Sequence, residues 1–172
     1  MLENLLHDIL SIDVVWLILL VLPAYVANST PTIFGGGMPM DFGRNFFDGN
    51  RILGDGKTWR GFAFGLSAGI LTAILEQVFL GGIFLWSGCV LSLGAVCGDV
   101  IGSFIKRRMN YKRGAPVPIL DQLTFIFFSI ILLYPFIPLS WASIVFLLLL
   151  TYILHVLTNI FANKIGIKKV PW

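Results

Sequence analysis

Two aspartates and a cluster of basic residues stand between Gly98 and Phe125, in a chain that otherwise consists mostly of long apolar runs. Asp99 and Asp121 bracket five basic residues, which are Lys106, Arg107, Arg108, Lys112 and Arg113. Carboxylate oxygens hold Mg²⁺, which keeps waters and binds substrate phosphates, while lysine and arginine take the remaining phosphate charge. The combination of these residue types therefore predicts a magnesium–phosphate site.

Helical spacing places Asp99 on the same face as three of its neighbours. Ser103, Lys106 and Arg107 follow it at i+4, i+7 and i+8, positions that share roughly one face of a helix. An ionisable residue inside a membrane span costs about 2.5–3.5 kcal/mol on insertion scales, so it is a functional candidate by default. The alternative for this face is a salt bridge with basic side chains that snorkel at the membrane border. For Asp121, at the start of the next span, the alternative is a helix cap.

The elements that must position these residues are membrane helices. Of the 172 residues, 57% are hydrophobic and only 12% are charged, whereas a soluble domain is about a quarter charged. A span needs about 20 mainly apolar residues, and a backbone exposed to lipid must satisfy its own hydrogen bonds. We therefore predict a single all-α domain with five transmembrane helices. The predicted spans are about 14–28, 61–80, 82–105, 119–137 and 140–162.

The basic residues also predict how the spans are oriented. All 12 lysines and arginines lie in the loop 29–60, in the loop 106–118 or in the tail after the fifth span. Lysine and arginine are enriched on the cytoplasmic side of membrane proteins. We therefore place both loops, the active site and the C-terminus in the cytoplasm of a multi-pass cell-membrane protein, with the N-terminus outside.

Glycines recur every four residues in two of the predicted spans. They are Gly61, Gly65 and Gly69 in the second span, and Gly94, Gly98 and Gly102 in the third. Each set lines one helix face, and glycine lets helix backbones approach closely in lipid. We expect the second and third spans to meet closely, or to line a site tightly, near their cytoplasmic ends. The alternative is that glycine is simply common in membrane spans.

The first loop ends in GDGKTWRG, from Gly54 to Gly61, directly before the second span. Glycines followed by Lys57 and Thr58 at a helix start suit phosphate binding through backbone N–H groups and the helix dipole. The segment is not a Walker A loop, whose spacing requires a glycine where Arg51 stands. By itself this segment predicts no particular nucleotide.

Four segments of the chain resemble the archaeal CDP-archaeol synthase family, which activates an unsaturated ether lipid with CTP. They are NSTP (Asn28–Pro31), PMDFGRNFFDGNRILGDGKTWRGF (Pro39–Phe62), GDVIGSFIKRR (Gly98–Arg108) and KRGAPVPILDQL (Lys112–Leu123). The family is related to the CDP-diacylglycerol synthases, whose signature shares S-x-x-K-R, here Ser103, Lys106 and Arg107, and a downstream aspartate, here Asp121. This chain lacks the His-Gly-Gly before that aspartate and has Gln122 where the signature has arginine.

The resemblance implies a reaction and a set of site residues. CTP and 2,3-bis-O-geranylgeranylglycerol 1-phosphate would give a CDP-lipid and pyrophosphate, with one or two Mg²⁺ ions. Asp99 and Asp121 are the expected metal ligands, and together with Lys106 they are the expected catalytic residues. The expected nucleotide- and phosphate-binding residues are Asn28, Asp55, Lys57, Thr58, Arg60, Ser103, Arg107, Lys112 and Arg113. The expected partners are CTP, the lipid phosphate and the bilayer, without nucleic acid.

Other functional classes fit the sequence less well. A CDP-alcohol phosphotransferase would carry D-G-x-x-A-R…G-x-x-x-D-x-x-x-D, which is missing. A small transporter with Asp99 in its ion path would have acids near the bilayer middle, whereas the charges here lie at one end of the spans. Glu76 and His155 each stand alone in a span, and we predict interface and packing roles for them.

Overall fold

The computed structural model describes residues 13–112 and 115–166, and this part of the chain forms five helices. They are α1 (Val14–Phe34), α2 (Trp59–Leu80), α3 (Phe84–Arg108), α4 (Pro118–Leu133) and α5 (Trp141–Lys164). All except α4 are long and apolar enough to cross a membrane. Within the described ranges the β-pairing consists of two isolated bridges, both involving the segment that connects α1 to α2. The predicted all-α fold with five helices is confirmed.

Local sequence signals explain where several helices begin and how two of them connect. Asp13, Thr58 and Ser140 cap the N-termini of α1, α2 and α5, because each side-chain oxygen accepts a hydrogen bond from the backbone N–H three residues later. Gly81 and Gly82 have φ angles of 70° and 66°, a backbone conformation that other residues rarely adopt. They allow the abrupt reversal from α2 to α3.

Helix α1 continues beyond the predicted end of the first span at residue 28. We expected Ser29 and Thr30 to lie in the loop, but their hydroxyls donate to the carbonyl oxygen of Val26 at 3.2 and 2.7 Å. These bonds satisfy the hydroxyls within the helix, so the polar residues do not end it. Pro31 also lies inside α1, which ends at Phe34. The α1–α2 loop is therefore residues 35–58 and not 29–60.

Helix α4 is shorter than predicted, and α3 is longer. The fourth span was predicted to reach residue 137, but α4 ends at Leu133, two residues before Pro135. Proline lacks a backbone N–H and disfavours helical conformation in the residue before it. With 16 residues, α4 is about 24 Å long, shorter than the roughly 30 Å hydrocarbon core. Helix α3 extends to Arg108, so the loop that follows it spans 109–117 and not 106–118.

The two glycine faces pack against different helices. A Cβ atom at Gly65 would lie 2.6 Å from the carbonyl oxygen of Ala27 on α1, and one at Gly69 would overlap Ser92 on α3. A Cβ atom at Gly98 would lie 2.6 Å from the carbonyl oxygen of Thr124 on α4. The second and third helices do meet closely through the glycines of α2. The glycines of α3, however, face α4, a partner that the four-residue spacing did not identify.

Contacts between side chains bring five helix ends together at one end of the bundle. The C-terminal ends of α1, α3 and α5 lie beside the N-terminal ends of α2 and α4. We call this the basic end, because it carries all the lysines and arginines of the described ranges. They are Arg44, Arg51, Lys57, Arg60, Lys106, Arg107, Arg108, Lys112 and Lys164. The remaining basic residues, Arg113, Lys168 and Lys169, lie outside the described residues.

Candidate active site

The α1–α2 loop is held in shape by pairing between its own segments. Near its two ends, the backbone N–H of Met40 donates to the carbonyl oxygen of Lys57 at 2.8 Å. In its middle, the N–H of Phe46 donates to the carbonyl oxygen of Asn50 at 2.7 Å, which closes a short hairpin of residues 44–52. We call this segment the loop hairpin. The pairing fixes where the glycine-rich end of the loop meets α2.

The carboxylate of Asp41 organises the loop from inside. It accepts hydrogen bonds from the side chain of Arg51 at 2.6 and 3.2 Å, and from the backbone N–H groups of Gly43, Leu53 and Gly54 at 3.1, 3.0 and 2.8 Å. Burial by itself would raise the pKa of Asp41, but these hydrogen bonds outweigh burial and hold its pKa well below the usual value. An ionised Asp41 therefore ties both halves of the loop together.

Arg108, the last residue of α3, attaches the loop hairpin to the helix bundle. Its guanidinium lies 3.1 Å from a carboxylate oxygen of Asp48 and donates to the carbonyl oxygen of Arg51 at 2.7 Å. The same group lies 4.5 Å from the ring centre of Phe46 and 5.0 Å from that of Phe104. Ionic, backbone and cation–π contacts thus fix the hairpin on α3.

Two ion pairs join neighbouring elements at the basic end. The ammonium of Lys57, just before α2, lies 2.6 Å from a carboxylate oxygen of Asp99 on α3. The ammonium of Lys106 on α3 contacts both carboxylate oxygens of Asp121 on α4, at 2.8 and 2.9 Å. Asp99 therefore does form a salt bridge, but with a lysine from the α1–α2 loop and not with one on its own helix face.

Asp121 also has the capping role considered as the alternative. Its carboxylate accepts a hydrogen bond at 3.0 Å from the backbone N–H of Val117, the residue that precedes α4. Lys106 in turn donates to the carbonyl oxygen of Ala115 at 2.7 Å. The ion pair and the cap together fix the start of α4 against the end of α3.

Two polar cavities open beside these ion pairs and share Gly56, Lys57 and Asp99 in their walls. The first cavity, of about 260 Å³, lies between α1, α2, α3 and the α1–α2 loop. The second, of about 170 Å³, lies between α3, α4 and the same loop. Asp99, Ser103, Lys106 and Arg107, the four residues predicted to share a face of α3, all line the second cavity.

A further cavity, of about 300 Å³, is a mostly apolar groove between α1 and α5. Its lining residues are Tyr25, Val26, Asn28, Ser29, Leu154, His155 and Thr158. Asn28 also lines the first polar cavity, and its side-chain nitrogen lies 3.3 Å from Nε2 of His155. The α1–α5 groove and the first polar cavity therefore meet at Asn28.

Comparisons with known proteins identify the family. The model of the CarS-like CDP-archaeol synthase family matches residues 6–172. The chain belongs to this family. It is 50% identical to a CDP-archaeol synthase of Methanococcus aeolicus and 48% identical to one of Pyrococcus horikoshii, in each case over 88% of this chain and 93% of the relative. A solved structure of an intramembrane enzyme for archaeal membrane lipids biosynthesis matches with a TM-score of 0.79 and 37% identity, over 83% of this chain and 92% of that one.

Most of the residues that the family resemblance singled out line the two polar cavities. Asn28, Asp55, Lys57 and Thr58 line the first cavity, and Lys57, Ser103, Lys106, Arg107 and Asp121 line the second. Asp55 and Thr58, like the residues of the two ion pairs, also make contacts within the protein. Asp55 forms an ion pair with Arg51 at 2.7 Å, and the buried hydroxyl oxygen of Thr58 caps α2. Their role towards a nucleotide stays a prediction.

Two expected basic residues lie outside the walls of the two polar cavities, and a third is not described by the structure. Arg60 is exposed and lies 5.6 Å from the ring centre of Phe64, outside the walls of both polar cavities. Lys112 lines a separate surface cavity of about 460 Å³ together with Arg107. Arg113 lies outside the described residues.

The carboxylates of the second cavity suit magnesium. Among the described residues, no group of three or more His, Cys, Asp and Glu side chains is placed to hold a metal ion. Mg²⁺ needs fewer protein ligands, because it keeps waters and is completed by substrate phosphates. Asp99 and Asp121 supply hard oxygen donors in one cavity wall. This donor set fits Mg²⁺ bound through one or two carboxylates.

Sequence reasoning missed the residues that hold the α1–α2 loop. Asp41, Arg51 and Arg108 received no role, although they make most of its side-chain contacts. One local signal existed, because aspartate two residues before Gly43 is typical of a turn closed by the side chain. No local pattern shows that the two arginines bind the loop and not a phosphate.

Proposed function

We propose that this protein is a Mg²⁺-dependent cytidylyltransferase that transfers CMP from CTP to the phosphate of an unsaturated archaeal ether lipid. The observation that carries the proposal is the convergence of Lys57, Asp99, Lys106 and Asp121 around two adjoining cavities at the basic end. The names of the relatives, CDP-archaeol synthase, support the same activity. In this reaction CTP comes from water, whereas the lipid phosphate stays in the bilayer.

The reaction is a substitution at the α-phosphorus of CTP. An oxygen of the lipid phosphate attacks that phosphorus in line, a new P–O bond forms, and the bond to the bridging oxygen of the β-phosphate breaks to release pyrophosphate. No covalent enzyme intermediate is required, so catalysis consists of positioning and charge stabilisation. The walls of the second cavity contribute to charge stabilisation through cations of the α1–α2 loop and of α3.

The ion pairs keep the charged groups in place before the substrates arrive. Lys57 and Lys106 are each held by an aspartate at 2.6 and 2.8 Å. The phosphates of an incoming nucleotide would offer both lysines new anionic partners, and oxygens of Asp99 and Asp121 would then be available to hold Mg²⁺. When bound, Mg²⁺ would supply charge neutralisation at the phosphate oxygens. Arg107, in the wall of the second cavity, adds a further donor for phosphate.

The proposed orientation places the basic end in the cytoplasm. All the lysines and arginines of the described ranges lie at that end, as the enrichment of basic residues on the cytoplasmic side requires. CTP would then reach both polar cavities directly from the cytoplasm. Accessibility of a cysteine introduced at Lys112 to a membrane-impermeant thiol reagent tests this in intact cells. Labelling of this cysteine from outside the cell would show that the basic end faces outward and would refute the proposed orientation.

The isoprenoid chains would reach the site from the side. The α1–α5 groove is mostly apolar and meets the first polar cavity at Asn28. A lipid lying in this groove would keep its chains in contact with the bilayer while its phosphate extends past Asn28 toward Lys57. The hydrogen bond between Asn28 and His155 lies across this path.

Incorporation of radiolabelled CTP into lipid by the purified protein tests the function. With the ether lipid phosphate and Mg²⁺ present, we expect labelled CDP-lipid together with pyrophosphate, and we expect chelation of the metal to abolish both. Absence of labelled lipid under all conditions would refute the proposed function. Full activity in the presence of a chelator would refute the role of Mg²⁺. Release of CMP from a supplied CDP-lipid and an alcohol would indicate a phosphotransferase instead.

A further inference from the structure

The α1–α2 loop, together with the first residue of α2, exposes two pairs of aromatic side chains. Phe47, in the loop hairpin, is 99% exposed, and its ring centre lies 5.1 Å from that of Phe46. Phe42 is 59% exposed and lies 6.4 Å from the half-exposed Trp59. A single exposed apolar side chain is ordinary, but paired large aromatic rings on one loop indicate an interaction surface. We call these residues the loop aromatic pairs.

Both pairs lie at the level where membrane helices end. The ring of Phe46 packs edge-on against Phe104, 5.5 Å away and one turn before the end of α3. Trp59 is the first residue of α2. Because α2 and α3 are long and apolar enough to cross a membrane, their ends at Trp59 and Arg108 mark the membrane surface. The loop aromatic pairs are therefore continuous with the lipid-facing surface of the bundle.

The charges near the pairs suit a phospholipid surface. Tryptophan concentrates at the boundary between acyl chains and headgroups, and phenylalanine is common on the apolar side of interfacial segments. Neighbouring basic side chains keep their charged ends in the polar layer. Arg44 is exposed on the loop hairpin beside Phe46, and Arg60 follows Trp59 on the exposed side of α2. The surface thus combines apolar rings with cations, as an interfacial anchor requires.

We propose that the α1–α2 loop lies in the interfacial layer of the bilayer, with both loop aromatic pairs inserted among the lipid headgroups. The loop thereby holds the polar cavities at the depth of the lipid phosphates. This inference does not depend on the reaction that the site catalyses. It distinguishes the loop from Lys112, an exposed cation in the segment after α3 that we expect to lie in water.

Spin labels on single cysteines in reconstituted vesicles test this placement. In a background with Cys89→Ala and Cys97→Ala, labels would be placed separately by Phe47→Cys, Phe42→Cys, Lys112→Cys and Leu71→Cys. Leu71 is 57% exposed near the middle of α2 and serves as the lipid-embedded reference. We expect labels at 47 and 42 to be more accessible to oxygen than to a water-soluble nickel chelate, as at 71. The label at 112 should show the reverse.

Two outcomes would overturn the proposal. If the labels at 47 and 42 match the label at 112, the loop projects into water. If they are shielded from both oxygen and the nickel chelate, or show spin–spin broadening between copies, protein and not lipid covers the surface. Phe47 is almost fully exposed, so its replacement removes little packing, and elution of each labelled variant as one species on size exclusion confirms that it is folded.

Discussion

Helices α2 and α3 carry one acid each, at opposite ends of the bundle and in contrasting surroundings. At the basic end, Asp99 of α3 contacts Lys57 at 2.6 Å and lines both polar cavities. At the other end, Glu76 of α2 is 7% exposed, and neither of its carboxylate oxygens has a hydrogen-bond partner among the described residues. An acid in a membrane span therefore does not define a site by itself. We expect a site where residues of opposite charge from several elements lie together around a cavity.

The largest effect is expected from neutralising the acids of the basic end. Asp99→Asn and Asp121→Asn each remove one expected Mg²⁺ ligand and one lysine partner, so we expect CDP-lipid formation to fall by on the order of 10²–10³-fold or more. Initial rates with radiolabelled CTP measure the loss, and a titration of Mg²⁺ shows whether higher metal concentration restores activity.

A matched control distinguishes the loss of a site residue from the loss of a negative charge at the basic end. Asp48→Asn removes the same charge from the same end, but Asp48 pairs with Arg108 and lines neither polar cavity. It should retain activity within a fewfold of the wild type. Near-normal turnover of a folded Asp99 or Asp121 variant, with an unchanged unfolding temperature, would disprove the metal assignment.

A smaller effect is expected from Asp41→Asn, which weakens the loop without touching the cavities. The variant loses the charge that five hydrogen bonds stabilise, so the segment before Lys57 should be misplaced. Misplacement of this kind lowers rates by up to about 100-fold. We expect a decrease between about 10-fold and that value, with a higher KM for CTP, measured by steady-state kinetics.

The pH dependence of stability provides a second measurement for Asp41. Its pKa is lower in the folded protein than the usual value of about 3.9, so the stabilisation is complete above about pH 4 and is lost as the pH falls toward the folded pKa. Thermal unfolding of the wild type and Asp41→Asn should therefore differ most near neutral pH and converge in acid. A difference that is constant between pH 7 and pH 3 would contradict an ionised, hydrogen-bonded Asp41.

The residues that could be predicted from the sequence are those whose positions depend on local periodicity. Asp99, Ser103, Lys106 and Arg107 share a face because they lie on one helix, and the structure places all four in one cavity wall. The pairing of Lys57 with Asp99 could not be predicted, because it depends on how the α1–α2 loop folds over α3.

The ends of the helices and the contacts between them also depend on more than local sequence. The end of α1 was misplaced because the hydroxyls of Ser29 and Thr30 bond within the helix, a choice that the polar residue types do not reveal. The partner of the α3 glycines could not be predicted, because four-residue spacing identifies a close contact but not the helix that makes it. Gly98 faces Thr124 of α4, which is remote in sequence.

A modest and selective effect is expected in the α1–α5 groove. Leu154 lines the groove, whereas its neighbour Ile153 is 54% exposed and does not. Leu154→Trp should fill the groove and raise the KM for the lipid phosphate about 5-fold, which corresponds to roughly 1 kcal/mol. The KM for CTP should stay unchanged, and Ile153→Trp should alter neither constant. Equal effects of the two tryptophans on lipid affinity would place the lipid elsewhere.

The smallest effect is expected from Glu76→Gln, which tests whether the acid at the opposite end of the bundle takes part in the reaction. Glutamine has nearly the same shape as glutamate, and a neutral group is easier to bury without a partner than a charged one. We therefore expect activity within about 2-fold of the wild type and an unfolding temperature that is equal or higher. A loss of CDP-lipid formation as large as that of Asp99→Asn, at unchanged stability, would break the comparison. It would mean that an acid at the opposite end of the bundle takes part in the reaction, so that proximity to the basic end would no longer mark the active site.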